Sequence, residues 1–379
     1  MRLLHIVGAR PNFMKAAPVW LAVAEAGGFD QELVHTGQHY DVNMSDIFFA
    51  ELGLPAPHYY LGVGSGTHAQ QTAAVMVAFE QTLAEARPDL VLVYGDVNST
   101  VAAALVCARL LLPVAHVEAG LRSGDRTMPE EINRLLTDQI ADLLFTPSAD
   151  GDVNLLREGV APEKIIRVGN VMIDSLVRLL PLARRSGVLD RLGLAPRRYA
   201  ALTLHRPSNV DDPARLRELL ETLGDLSARL PIVFPVHPRT RKRIEDLGLN
   251  ATGDIRLTEP LGYLEFLHLM SEARLVLTDS GGIQEETSYL GIPCLTLRAN
   301  TERPITVDHG TNTLVGLEVE RLADLFNAIL DGTYLWDRRP AGGIPLWDGQ
   351  AARRIVAALE QLNGGMLHSI HTTSKEVAR

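Results

Sequence analysis

Cysteine is nearly absent from this chain. Cys107 and Cys294 are the two in 379 residues, far apart and each in an apolar context. Two such residues supply neither a disulfide framework nor a zinc-binding spacing. Positive charge is also short, with a net charge of -10 at pH 7. No nucleic-acid partner is expected, because nothing supplies a basic face. An anionic small ligand stays compatible where cations gather in a cleft. Long apolar runs are missing too. The most apolar stretch, Ala102 to Val117, is broken by Arg109 and Pro113, too soon for a membrane span. The first eight residues, Met1 to Gly8, read as a strand and lack the apolar core and cleavage site of a signal peptide. The expected location is therefore the reducing cytoplasm, with no membrane partner. There is no internal repeat and no low-complexity block.

What is present fits a globular protein. The chain is long enough for two domains with full cores. Its 46% hydrophobic and 22% charged content is ordinary for that class. Apolar runs at Leu3–Val7, Glu32–His35, Leu90–Tyr94, Val114–Val117 and Leu143–Thr146 read as strands. Amphipathic stretches at Gln70–Ala86, Ser99–Leu110 and Pro129–Ala141 separate them. The alternation pauses near Leu179–Arg198. It restarts with Ala200–Leu204, Ile232–Val236, Ile255–Leu257, Leu275–Leu277 and Cys294–Leu297. Such alternation predicts parallel strands with crossover helices. The expected fold class is α/β with two Rossmann-like doubly wound domains, residues 1–172 and 173–350. A helix at about 351–364 is expected to pack back on the first. No periodicity is visible after Gly364.

Charged and small residues follow these runs directly: Gly8-Ala-Arg10, Gly95-Asp96, Glu118-Ala-Gly120, His205-Arg206, His237-Pro-Arg239 and Asp279-Ser280. Ligands of open parallel sheets sit beyond the carboxyl ends of the strands. Leu277-Thr-Asp-Ser-Gly-Gly-Ile-Gln-Glu-Glu286 is the most telling segment. A strand that ends in small residues at a helix start presents free amides and a positive dipole end, which suits a phosphate. Glu286, one turn in, is placed for a ribose hydroxyl. The alternative is an ordinary turn capped by Asp279 or Ser280. Gly8-Ala-Arg-Pro-Asn-Phe-Met-Lys15 brings Arg10 and Lys15 to the first strand end, where they serve a diphosphate or are surface charges. Neither common nucleotide fingerprint, G-x-G-x-x-G or G-x-x-x-x-G-K-[ST], occurs there. Asp96, Glu118, Glu130 and Glu131 gather acid at neighbouring strand ends and a helix start. They are acid/base candidates, with helix capping as the alternative for the last two. His205 is placed to shuttle a proton or bind a phosphate. His35 and His39 stand four apart but straddle a glycine, so no metal is expected.

Taken together, these segments resemble the non-hydrolysing UDP-N-acetylglucosamine 2-epimerases. The match runs from Gly8-Ala-Arg-Pro11 through His116-Val-Glu-Ala-Gly-Leu-Arg122 and Asp279-Ser-Gly-Gly-Ile-Gln-Glu-Glu286 to Thr301-Glu-Arg303-Pro304. The resemblance implies a glycosyltransferase-B-like fold with a UDP-sugar in the interdomain cleft, a homodimer, and no metal or nicotinamide cofactor. By the same resemblance, Arg10, His205, Ser280, Gly281 and Gly282 hold the diphosphate and Glu286 takes the ribose. Phe266 packs on uracil, the Leu261 backbone reads its edge, and Arg303 and Lys15 assist near the nucleotide. Asp96, Glu118 and Glu130, with His205, form the catalytic set. The chemistry suits these residue types. The C2 hydrogen of an N-acetyl sugar is not acidic, so UDP must leave C1 as a carboxylate takes the C2 proton. A 2-acetamidoglucal results, and UDP re-adds while a proton returns to the other face.

The chain departs from the family pattern at Tyr40, in the short stretch Gly120–Pro129 and at Pro207-Ser208-Asn209. A second, allosteric UDP-sugar site is accordingly not expected. His35-Thr-Gly-Gln-His39 and Gly66-Thr-His68 look like relatives acting on 2,3-diacetamido uronic acid sugars. Such a substrate wants a further cation, with Arg122 and Arg126 as candidates. Glu302-Arg303-Pro304 looks like the ordinary epimerase, and UDP-N-acetylglucosamine is the expected substrate. The rivals are a hydrolysing epimerase, a glycosyltransferase of the same fold and a non-catalytic UDP-sugar-binding protein.

Overall fold

A computed structural model describes residues 1–37, 49, 51–249, 252–316, 318–334 and 343–363, with Arg10 described by its backbone alone. Gln38, His39, Tyr40 and the segment from residue 364 lie outside these residues. The chain forms two compact units, Met1–Ser175 with the segment from Pro345, and Leu176–Ile344.

In the first unit a parallel sheet takes the order β3-β2-β1-β4-β5-β6-β7. Its strands are β1 (Arg2–Val7), β2 (Asp30–His35), β3 (Tyr59–Tyr60), β4 (Leu90–Tyr94), β5 (Val114–Val117), β6 (Leu143–Thr146) and β7 (Ile165–Arg167). Every residue of β4, β5 and β6 is buried, as expected for strands covered on both faces. Ile6 pairs with Val93, and Tyr94 with Val117. This register brings Gly8, Gly95 and Glu118 level at one edge of the sheet. The strand order reverses between β1 and β4, which makes that edge a ligand position.

The helix Ala351–Gln361 packs on the helix Arg10–Ala26. Its first amides, Ala351 and Ala352, donate to the two oxygens of Asp174 at 3.1 and 2.7 Å. Nearby, the Trp347 indole donates to the Pro147 carbonyl at 2.9 Å.

The second unit holds a parallel sheet in the order β10-β9-β8-β11-β12-β13. Its strands are β8 (Ala200–Thr203), β9 (Ile232–Pro235), β10 (Ile255–Thr258), β11 (Leu275–Thr278), β12 (Cys294–Thr296) and β13 (Asn312–Leu314). Here the order reverses between β8 and β11, and Thr203 pairs with Thr278. His205 and Ser280 therefore leave adjacent strand ends. The ten expected strands all form, with ends displaced by no more than two residues. Three further strands, β3, β7 and β13, have no counterpart in the sequence expectation. Each lies at a sheet edge, spans two or three residues and is incompletely buried, so none leaves an apolar run.

Asp174 titrates near 6, pushed up by burial despite the two amides it accepts from. Replacing it with Ala leaves the first turn of the helix Ala351–Gln361 without its acceptor, at a cost of about 1–3 kcal/mol. Asp174→Ala is expected to lower the urea midpoint and speed amide exchange over residues 351–361. Unchanged exchange there would refute this anchoring.

Candidate active site

At the carboxyl edge of the first sheet, Lys15 and Glu118 form a buried pair through Nζ and Oε2, with side chains 7% and 2% exposed. Gly95 backs onto this pair. Its φ is +60°, and a Cβ there would collide with Lys15 Nζ, so glycine is required. Glu118 is held in the left-handed region at φ +74°. For a residue with a side chain that conformation costs of order 1–3 kcal/mol and persists only where surroundings enforce it. The amides of Glu118 and Ala119 both donate to the Phe145 carbonyl, at 3.1 and 3.0 Å.

Next to it, the Asp96 carboxylate meets Arg134 Nη1. Arg134 Nη2 also reaches Glu131 at 2.7 Å. Glu131 accepts from the Ser123 and Gly124 amides, each at 2.9 Å. Burial alone would raise Glu131, yet those amides and Arg134 hold its carboxyl below the usual range. Capping is thus not what Glu131 does: it ties the preceding loop to Arg134. Glu130, one residue earlier, is half-buried at the start of the helix Pro129–Ile140.

Arg122 is committed to Asp138 at 2.7 Å and Glu158 at 2.6 Å, and its side chain is 10% exposed. This corrects its candidacy as a free cation for a uronic acid, and leaves the exposed Arg126. Among the described residues, these ion pairs set five carboxylates (Asp96, Glu118, Glu131, Asp138, Glu158) against three cations (Lys15, Arg122, Arg134).

In the second unit, Asp279 is fully buried at the end of β11. It accepts from the His205 and Arg206 amides at 3.0 and 2.9 Å and from Asn209 at 3.1 Å. His205 Nδ1 lies 2.9 Å from its other oxygen. Burial opposes ionisation of Asp279, but these donors, His205 foremost, outweigh it and hold the carboxyl below its usual range. Asp279 therefore anchors the loop after β8. Ser280 occupies the N-cap of the helix Gly281–Leu290 without a side-chain cap bond. Neither residue caps that helix with its side chain. Gly281 lies against Glu302 and Arg303, while Gly282 faces open space. Arg303 sits between Glu302, at 2.5 Å, and Glu285, at 2.7 Å. Arg298 reaches the second oxygen of Glu302 at 2.8 Å.

Glu286 is buried, and the Tyr263 hydroxyl donates to it at 2.8 Å. Phe266 lies half-buried one turn further along the same short helix, Tyr263–Ser271, and Leu261 just precedes that helix.

His205, Ser280, Gly281, Gly282, Glu286 and Arg303 thus belong to one connected group in the second unit. Lys15, Asp96 and Glu118 stand at the carboxyl edge of the first sheet, and Glu130 lies in the first turn of the helix Pro129–Ile140. The side chain of Arg10 lies outside the described residues. Sequence reasoning passed over Arg134, Asp138 and Tyr263. Their signals are faint, since a charged residue inside a helix reads as solvated surface. His35 points among Phe13, Phe49 and Tyr60, and its Nδ1 accepts from the Gly37 amide at 2.8 Å. Burial lowers it to about 4. His39 lies outside the described residues, and among those described no cluster of three His, Cys, Asp or Glu is arranged for a metal. No described helix is long and apolar enough to cross a membrane.

Two doubly wound units, one with an uncapped strand–helix turn and the other with paired buried acids and bases, define a glycosyltransferase-B-like α/β protein. Comparison narrows the class. The family model for UDP-N-acetylglucosamine 2-epimerase matches residues 21–360. The UDP-N-acetylglucosamine 2-epimerase of Methanocaldococcus jannaschii is 43% identical over 374 residues, covering 95% of this chain and 99% of that protein. The UDP-2,3-diacetamido-2,3-dideoxy-D-glucuronate 2-epimerase of Pseudomonas aeruginosa is 44% identical over 366 residues, covering 96% and 100%. A crystal structure of the M. jannaschii enzyme in complex with UDP-GlcNAc and UDP superposes with a TM-score of 0.84, covering 95% of this chain and 100% of that one at 43% identity. The chain belongs to the UDP-N-acetylglucosamine 2-epimerase family.

Burial raises Glu286 from 4.5 to about 7, opposed by the Tyr263 hydrogen bond and aided by neighbouring Glu285. Between those values the folded protein keeps a proton that the unfolded chain has lost. Stability should therefore fall as pH rises from 4.5 to 7 and level off above, by up to about 3 kcal/mol. Urea unfolding of the wild type and Glu286→Gln across pH 5–8 reads this. The gap between the two should move against the wild type as pH rises; a constant gap would contradict the shift.

Proposed function

We propose that this chain reversibly inverts C2 of UDP-N-acetylglucosamine to give UDP-N-acetylmannosamine. The observation that carries this is the placement of Glu118 and Asp96 at neighbouring strand ends, each held by a buried cation. UDP leaves with the C1–O electron pair while one carboxylate takes the C2 proton, giving 2-acetamidoglucal. UDP then re-adds at C1, and a proton returns to the opposite face of C2. Asp96 and Glu118 act near C2, with Glu130 supporting. The clustered carboxylates stabilise oxocarbenium character at C1. Lys15 orients Glu118 through their buried ion pair. Arg10, His205, Ser280 and the Gly281-Gly282 amides receive the departing diphosphate, Glu286 and Arg303 serve the ribose side, and Leu261 and Phe266 serve the uracil. No metal or redox cofactor has a role in this sequence of steps.

A neutral N-acetyl sugar suits this site better than a uronic acid. Lys15, Arg122 and Arg134 are each already bound to carboxylates, so none of these three is placed to meet a further carboxylate on the sugar. The protein is placed in the cytoplasm, consistent with two buried free thiols, Cys107 and Cys294.

A homodimer completes the proposal. The helix His68–Ala86 turns Ala73, Ala74 and Val77 outward, with Val77 63% exposed. Beside Leu61 and Gly62–Gly66, this face forms an open groove without charge. A second copy covers it best, because small uncharged side chains permit close helix approach.

Purified protein in deuterated water with UDP-N-acetylglucosamine is expected to build a UDP-N-acetylmannosamine signal carrying deuterium at C2, with little free UDP. Asp96→Asn and Glu118→Gln should each lose on the order of 100-fold or more in kcat while binding UDP. Near-normal turnover in both would overturn the acid/base assignment, and free N-acetylmannosamine with stoichiometric UDP would indicate hydrolysis. Sedimentation velocity tests the dimer: Val77→Glu should shift it to monomer, and an unchanged dimer would move the interface elsewhere.

A further inference from the structure

One carboxylate in the first unit touches no proposed substrate atom yet joins the segments that carry both acid/base groups. Asp138, on the helix Pro129–Ile140, is fully buried. Its Oδ2 accepts from the Gly120 amide at 3.0 Å and from Arg122 at 2.7 Å. Its Oδ1 faces His116 Nδ1 at 2.6 Å. The other ring nitrogen, Nε2, lies 2.8 Å from the Gly95 carbonyl. His116 itself is fully buried in β5.

Through these contacts Asp138 grips the loop after β5 on one side and, by way of His116, the loop after β4 on the other. Glu118 stands between the two gripped points of its own loop, His116 and Gly120. Asp96 directly follows Gly95. The grip falls where the backbone most needs it. Glu118 and Gly120 both have left-handed φ, +74° and +84°. A Cβ at Gly120 would press on the Gly151 backbone at 2.5–2.8 Å, so this loop is already packed tightly from outside. Asn154 adds a bond to the Gly120 carbonyl at 2.9 Å. Both atoms that face the His116 ring, a carbonyl and a carboxylate oxygen, are acceptors. The two bonds form together only on a ring with a hydrogen on each nitrogen.

We infer that Asp138 and His116 are a positioning pair that sets the separation of Asp96 and Glu118 for proton transfer at opposite faces of C2. The inference rests on the proposed epimerisation for its kinetic consequence and on geometry alone for its structural one. Asp138→Asn keeps shape and one acceptor but withdraws the acceptor facing His116 or the one facing Gly120. His116→Gln retains a donor toward Gly95 and loses Asp138. His116→Asn retains a donor toward Asp138 and loses Gly95.

The test is steady-state kinetics of the three variants with UDP-N-acetylglucosamine, together with UDP binding by calorimetry and their crystal structures. Displacing one of two acid/base groups by about an ångström should lower kcat on the order of 100-fold. KM and UDP affinity should stay within about threefold, since only transition-state geometry is lost. The crystal structures should show Glu118 leaving its left-handed φ or a changed Asp96–Glu118 separation. That readout holds even if the wild type proves inactive on this sugar, an outcome that would sink the proposed function instead. Unchanged carboxylate separation in all three variants would overturn the inference, as would kcat within about threefold of the wild type. Parallel loss of folding, KM and kcat in all three would also overturn it, by assigning the pair to the scaffold.

Discussion

A charge taken out of water must find its opposite, and this constraint organises both units. Lys15 with Glu118, Arg134 with Asp96 and Glu131, and Arg122 with Asp138 and Glu158 fill the edge of the first sheet. Arg298 and Arg303 with Glu285 and Glu302 do the same behind Gly281 in the second. Breaking one partner from such a pair costs several kcal/mol, because the other stays buried and unpaired. Such partners hold the carboxyls of Glu131, Asp138 and Glu302 below the usual range although burial pushes each of them up. Glu302 shows the balance: burial pushes its carboxyl up, yet Arg303 and Arg298 hold it far below the usual range.

The topology explains where these charges stand. In each sheet the strand order reverses once, and the residues after the two strands at the reversal are pulled apart by diverging connections. Glycine and small residues occupy those ends because backbone must come close to whatever binds. Gly95 is the clear case, with Lys15 where its side chain would be. Asp279 has an analogous duty in the second unit, fixing His205.

Much of this was legible in the sequence, for a physical reason. Parallel strands buried on both faces must be apolar throughout, so β4, β5 and β6 announce themselves and the residues that follow stand out. Edge strands carry no such mark, and Tyr59–Tyr60, Ile165–Arg167 and Asn312–Leu314 escaped notice. The site residues were visible as residue types at strand ends, but their partners were not. Lys15 and Glu118 are 103 residues apart, and nothing local says that one ammonium neutralises one carboxylate. Arg134 and Asp138 look like the solvated face of a helix until the tertiary structure buries them. Glu118's left-handed backbone is equally silent, since the usual marker of that conformation is glycine.

Two equally similar relatives are named one for a neutral sugar and one for a uronic acid sugar. Neighbouring carboxylates favour a cation-like transition state, whereas they repel a carboxylate carried by the substrate. The direct test is a head-to-head measurement of kcat/KM with UDP-N-acetylglucosamine and UDP-2,3-diacetamido-2,3-dideoxy-D-glucuronate. The neutral sugar should be preferred by on the order of 100-fold, equivalent to about 2.7 kcal/mol of transition-state discrimination. Equal or better turnover of the uronic acid sugar would contradict the account and point to Arg126 or Arg10 as a cation that meets the extra carboxylate.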